Sequence, residues 1–369
     1  MTREEYRAAA ENVIYLAACM VNGDRPDAGR AAGMDLRQLH EAAAFHMLTG
    51  VVGFALEAAG VEDAEFVRDK AAAMRRSALY IAERTAVLAK LEEAGIWYMP
   101  LKGAVLESYY PRLGMRQMAD NDILFDPSRR ADVREIMTGL GFTTEDYGFE
   151  EHDVYFKDPF LSFEMHVGLI NSESVRRFDA YYLDVKKRLL KDAGNAYGYH
   201  FSDEDFYLYL LAHEYKHYAE GGTGLRSLLD TYVWLKRKRD EMDWDYIARE
   251  AEKMGIADFE WENRSLATRL FTGEALSESE GRMLDFILSS GTYGTVANRA
   301  EGEIREKGRL GYFLSRLTIP KETMLHDYPI LKKAPALYPV MWLWRFIYRF
   351  FTRREKLLCE LKAVFTRSK

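Results

Sequence analysis

Asp120 and Asp122 are the residues of this chain best placed to do chemistry. They sit at the start of a strand-like run, Asp122-Ile-Leu-Phe125. Residues i and i+2 of a strand point to one face, so the two carboxylates converge. Close carboxylates repel unless a cation lies between them, and hard oxygen donors suit Mg²⁺ or Mn²⁺. Upstream, Ile96-Trp-Tyr-Met-Pro-Leu101 reads as a strand running into Lys102-Gly103 and a short helix over 104–110, stopped by Pro111. A glycine turn opening a helix offers backbone N–H groups to a phosphate, and Lys102 and Arg116 add positive charge. Downstream, Ser162-Phe-Glu164-Met-His166-Val alternates apolar residues with Glu164 and His166, which share a face. Charged side chains turned inward on a strand are costly unless used, so Glu164 is the candidate third acid.

These residues need a scaffold. Pro127 opens a helix continuing over 128–140 and capped by Gly141, and strands follow at 153–157 and 161–169. The order strand, helix, strand, helix, strand, strand defines a small α/β unit within residues 96–200. Residues 1–95 read as helical over 4–20, 35–59 and 64–94, with Gly23, Gly60 and Gly95 at the ends. From residue 201 the chain is helical again, over 203–219, 225–238, 244–254, 258–271 and 278–289, to about 330. The last stretch, 331–369, stands apart: Val340–Lys369 holds eight Lys/Arg against two Glu, interleaved with Trp342, Trp344, Phe346, Tyr348, Phe350 and Phe351.

The 369 residues suffice for two or three domains. A net charge of −7 disfavours long nucleic acid as an obligate partner. Two cysteines, Cys19 and Cys359, belong to no metal or redox motif, which fits a reduced cytoplasmic setting. The first residues lack the pattern of a signal peptide, and no uninterrupted apolar run of about 20 residues suggests a membrane span.

The combination Leu101-Lys102-Gly103, Tyr110-Pro111, Arg116, Asp120-x-Asp122 and Glu164-x-His166 resembles the DNA polymerase β-like nucleotidyltransferase superfamily. It looks most like a branch of uncharacterised bacterial members in which Leu-Lys-Gly replaces the usual Gly-Ser; here Ala104 follows Gly103. The resemblance implies an α+β fold, a small mixed-sheet core flanked by N-terminal and C-terminal helical regions. It also implies that Asp120, Asp122 and Glu164 hold divalent ions, Mg²⁺ or Mn²⁺. Those ions would neutralise an NTP and stabilise in-line attack at the α-phosphorus, with pyrophosphate leaving. Lys102, the Gly103 amide, Arg116, His166 and Lys216 would contact the nucleotide, and Glu164 would also activate the acceptor hydroxyl.

Other motifs compete. His213-Glu214-Tyr-Lys216-His217 matches H-E-x-x-H, the zinc peptidase helix, although Lys216 places a cation between the ligands and no third-ligand motif follows. The same helix also reads as one whose His and Lys face the cleft. Arg226 and Asp230, four apart on the next helix, are placed to form an ion pair with each other. Gly221-Gly-Thr-Gly224 lacks the lysine of a phosphate loop and reads as an interhelical turn. In the tail, Arg345, Arg349, Arg353 and Lys356 recur at helical spacing. Residues 336–369 could meet an anionic membrane surface, RNA or a partner, or pack their aromatic side on the helical domain and leave the arginines in water. The expected function is metal-dependent transfer of a nucleoside monophosphate from an NTP to a small-molecule or protein hydroxyl. A zinc peptidase or a non-catalytic nucleotide-binding module are the alternatives.

Overall fold

The computed structural model describes residues 1–144, 147–148, 152–170 and 176–292, then 308, 311, 321, 324–325, 328 and 330–352. The chain forms two compact units, one of residues 1–216 with 224–292 and one of 217–223 with 293–369.

The first unit opens with helices α1 (Arg3–Asn22), α2 (Ala28–Ala32), α3 (Leu36–Phe45), α4 (Thr49–Ala59) and α5 (Ala64–Glu93). Local chemistry sets their ends. Thr2 and Glu5 close a capping box on α1, and Gly23 ends it at φ 80°. Asp63 caps α5 by accepting from the amides of Glu65 and Phe66. The single helix expected over 35–59 is instead two. The break falls at His46–Leu48, where Met47 takes φ 55° and the His46 ring is fully buried. Helical periodicity runs through the break because both halves bury apolar residues; the tertiary anchoring of His46 decides it.

The α+β core follows. Strands β1 (Tyr98–Pro100), β2 (Asn121–Phe125), β3 (Thr143–Thr144), β4 (His152–Lys157) and β5 (Leu161–His166) form a mixed sheet of order β1-β2-β5-β4-β3. β2 and β5 are parallel and the other pairs antiparallel. Helix α6 (Gly103–Leu106) is a single turn, and α7 (Arg130–Gly139) crosses between β2 and β3. One sheet face carries Ile123, Phe125, Tyr155, Leu161, Phe163 and Met165. It packs against Tyr80, Val87 and Leu91 of α5 and Val133 and Met137 of α7. The opposite face carries Asp122, Glu164, His166 and His152, because strand alternation assigns every second side chain to it.

Helix α8 (Arg176–Tyr182) and the short pair β6 (Leu190–Lys191) and β7 (Tyr199–His200) lead into α9 (Asp203–Glu220), α10 (Leu225–Lys238), α11 (Trp244–Lys253), α12 (Ala257–Thr272) and α13 (Glu278–Ser290). All residues of α9 from Asp205 to Ala212 are buried, the signature of a helix surrounded by protein. None of the described helices is long and apolar enough to cross a membrane.

In the second unit the tail helix Tyr338–Thr352 reverses an expectation. Arg345 is buried, with Nη1 3.7 Å from Met324 Sδ, while Trp344, Ile347 and Tyr348 are exposed. The guanidinium's long apolar stem makes such burial feasible. Residues 353–369, including Arg353 and Lys356, lie outside the described residues.

Candidate active site

Register brings the acids together. Asp122 of β2 pairs directly with Glu164 of the parallel β5, and Asp120 lies two residues before Asp122. Leu124 pairs with His166, and across the antiparallel β4–β5 ladder His152 faces His166. Asp120, Asp122, Glu164, His166 and His152 thus share the sheet face opposite α5 and α7. Helix α5 fixes where β2 begins: Tyr80 donates to the Ala119 carbonyl at 2.9 Å and accepts from the Ser162 amide at 3.1 Å, and Arg84 donates to Asn121 Oδ1 at 2.8 Å.

Asp122 is the centre of the cluster. It is 3% exposed, and its Oδ1 accepts from Lys102 Nζ at 2.9 Å and lies 2.8 Å from His166 Nε2. Burial favours its neutral form, but Lys102 and His166 hold its carboxyl well below the usual carboxylate range. Asp120 behaves oppositely. Burial first, then the charge of Asp122, push its carboxyl up to about 6, with Glu164 adding to the rise and Lys102 opposing it. Glu164 is partly open, with its side chain 25% exposed, and its Oε2 stands 3.5 Å from His166 Nε2 and 3.8 Å from His152 Nε2. Burial pulls the His166 imidazole down, but hydrogen bonds that it donates to Asp122 and Glu164 leave it raised above its ordinary value.

Lys102 reaches Asp122 from a backbone at φ 40°, ψ −111°, rare for a residue with a Cβ and a cost of about 1–3 kcal/mol. Gly103 is glycine for a packing reason: a Cβ there would come within 2.3 Å of Arg116 Nη1. Arg116 is buried and committed to Asp230, donating from Nε to Oδ1 and from Nη2 to Oδ2, both at 2.9 Å. The pairing expected between Arg226 and Asp230 is therefore replaced. Arg226 Nη1 donates to the Gln117 carbonyl at 3.1 Å, and Tyr110 Oη donates to Asp230 at 2.7 Å. Both residues of the Arg-x-x-x-Asp helix thus grip the segment that leads into Asp120. Sequence spacing could not reveal a partner 114 residues away.

Lys216 sits half-buried on α9. On the same helix, Glu214 is buried and accepts from Thr231 Oγ1 at 3.2 Å, and burial lifts its carboxyl to about 7. A base so placed has its oxygen turned to the core rather than to a metal, which leaves the zinc peptidase reading without support. Among the described residues, the side chains close enough to share an ion are instead His152, Glu164 and His166.

Tyr209, one helical turn before His213, was not singled out by spacing. It is fully buried, its hydroxyl has no hydrogen-bond partner, and the charges of Lys102, Asp122, Glu164 and Asp120 all act on it. An apolar helix face gave no signal that this phenol lies within the electrostatic reach of the acids.

The observed class is an α+β protein whose mixed sheet presents three carboxylates, a lysine and two histidines on one face. Residues 32–272 match the family model described as uncharacterised nucleotidyltransferase, so the chain belongs to that family, and its general reaction type is nucleotidyl transfer. No curated protein matches the sequence. Among solved structures, the chain is similar to one described as the solution structure of the antibiotic-resistance factor ANT(2'')-Ia, at 11% identity over 53% of this chain and 93% of that one. The TM-score of that pair is 0.28.

Proposed function

We propose that the chain transfers a nucleoside monophosphate from an NTP to an acceptor hydroxyl, releasing pyrophosphate, with Asp120, Asp122 and Glu164 as the catalytic acids. The observation that carries this reading is the β2–β5 register, which sets Asp122 beside Glu164 with Asp120 on the same face. A divalent ion, Mg²⁺ or Mn²⁺, fits the site on the chemistry of its donors. Three carboxylates stand on one sheet face, and after burial the charge of Asp122 adds to the rise of Asp120, a repulsion that a cation would relieve. When bound, such an ion would neutralise phosphate oxygens and make the α-phosphorus easier to attack.

The chain's own residues do the rest. Glu164, open to one side, accepts the proton of the acceptor hydroxyl. Lys102 gives up part of its contact with Asp122 to meet a phosphate oxygen, the Gly103 amide and Lys216 add donors to the nucleotide, and His166 holds Asp122 in place. Arg116 acts through Asp230, holding the segment before Asp120. A small molecule or a protein is the favoured acceptor, since the net charge of −7 suits neither RNA nor DNA, and the cytoplasm is the favoured setting.

Calorimetry of NTP binding tests the reading, with and without Mg²⁺ or Mn²⁺, on the wild type, Asp120→Asn and Glu164→Gln. Metal-dependent binding that both substitutions abolish supports it. Binding that ignores the metal and both substitutions would leave a nucleotide-binding module without catalysis.

A further inference from the structure

We propose that His152, Glu164 and His166 form a site for one transition-metal ion, of the Mn²⁺, Co²⁺ or Zn²⁺ class, that discriminates against Mg²⁺. The proposal deepens the reading of the same catalytic face. The site itself rests on strand register and donor chemistry.

Three observations converge. First, topology aims the side chains: His152 is the cross-strand partner of His166, and Glu164 lies two residues before His166 on the same strand face. Second, the donor atoms are close. One donor atom from each of the three residues lies within 4.8 Å of the other two, with Glu164 Oε2 at 3.5 Å from His166 Nε2 and 3.8 Å from His152 Nε2. Donors bound at about 2.0–2.1 Å to one ion stand roughly 3.0–3.4 Å apart. Rotations of His152 and Glu164, whose side chains are 29% and 25% exposed, close that gap. Third, Asp122 Oδ1 lies 2.8 Å from the same His166 nitrogen, which sets a further carboxylate beside the group without making it a member.

Donor type then selects the ion. Imidazole nitrogens suit Zn²⁺ and its first-row neighbours, whereas Mg²⁺ prefers an all-oxygen shell and sheds water reluctantly. Two imidazoles with one carboxylate therefore favour the transition metals. Asp120, which belongs to the acid cluster but not to this group, is left to serve an oxygen-bound ion carried in with a nucleotide. The two halves of the face would thus hold different ions.

The test uses the full chain stripped of metal, without nucleotide, so its outcome is independent of whether the chain transfers nucleotides. Calorimetry with Zn²⁺, Mn²⁺ and Mg²⁺ should give one Zn²⁺ or Mn²⁺ per chain, bound about tenfold or more tighter than Mg²⁺. His152→Ala should weaken that binding about tenfold or more, and His213→Ala/His217→Ala should leave it unchanged. Pulsed EPR of the Mn²⁺-loaded wild type reads imidazole nitrogen coupling directly and needs no variant to fold. Absent nitrogen coupling, equal affinity for Mg²⁺, or unchanged affinity in His152→Ala would each overturn the site. In any of those cases, metal-dependent NTP binding lost in Asp120→Asn would leave the nucleotidyl-transfer reading standing.

Discussion

Arg116 and Asp230 form a bidentate, fully buried ion pair between the segment leading into β2 and helix α10. Their guanidinium–carboxylate fork also explains Gly103, since the space a Cβ would take there holds the Arg116 head group. Three residues that look like independent phosphate or surface groups in the sequence are therefore parts of one clamp behind the acids.

Breaking this clamp from one side strands a buried charge. Arg116→Ala or Asp230→Ala should cost about 3–5 kcal/mol in denaturant unfolding. Gly103→Ala should cost about 1–3 kcal/mol by overpacking against Arg116. The effects of Gly103→Ala and Arg116→Ala should be clearly less than additive, because removing the guanidinium frees the space. Full additivity would mean the contact is not shared.

Asp120 opposes folding at neutral pH. Its carboxyl is pushed up to about 6 by burial and by Asp122, so between about pH 4 and 6 the folded state binds more protons than the unfolded one. Stability from this group is then lost as pH rises through that window. Asp120→Asn should raise stability at pH 7 by about 1–3 kcal/mol while abolishing transfer. Divalent ions should raise the Tm of the wild type more than that of the variant. An Asp120→Asn protein less stable at pH 7 than at pH 4, by the wild-type margin, would refute this account.

His46 adds a pH dependence of opposite sign. The Leu225 amide donates to Nδ1 at 3.3 Å, so the ring proton sits on Nε2 and is donated to Tyr6 Oη at 2.8 Å, and Tyr6 donates to the Leu288 carbonyl at 2.7 Å. Burial pushes the imidazole down to about 4. The neutral ring is the folded form, so its contribution is complete above pH 6.5 and lost as pH falls from there to about 4, up to about 3 kcal/mol. His46→Gln should flatten the acid limb of the stability profile over that range.

Tyr209 separates structure from chemistry. Its buried hydroxyl has no partner, so Tyr209→Phe should keep the Tm or raise it slightly. The same change should cut nucleotidyl transfer about tenfold or more if the phenol meets substrate beside the acids. Unchanged turnover would reduce Tyr209 to a packing residue.

What was legible in the sequence was local. Alternation along 161–166 and the i, i+2 spacing of Asp120 and Asp122 depend on strand geometry alone, so they placed the acids on one face. Helical periodicity likewise placed α1, α5, α10 and α13 within two residues of their ends, with Gly23 and Gly95 closing the first two, because the pattern is set by near neighbours in the chain. Partners far apart in the chain were not legible. The joining of Arg116 to Asp230 rather than Arg226 to Asp230, the break at Met47 and the placing of Tyr209 within the field of the acids all follow from packing between distant segments. The same is true of His152 facing His166. Local spacing states which face a side chain takes; only the tertiary structure decides what stands opposite it, because burial makes each charge find whichever partner the fold brings within reach.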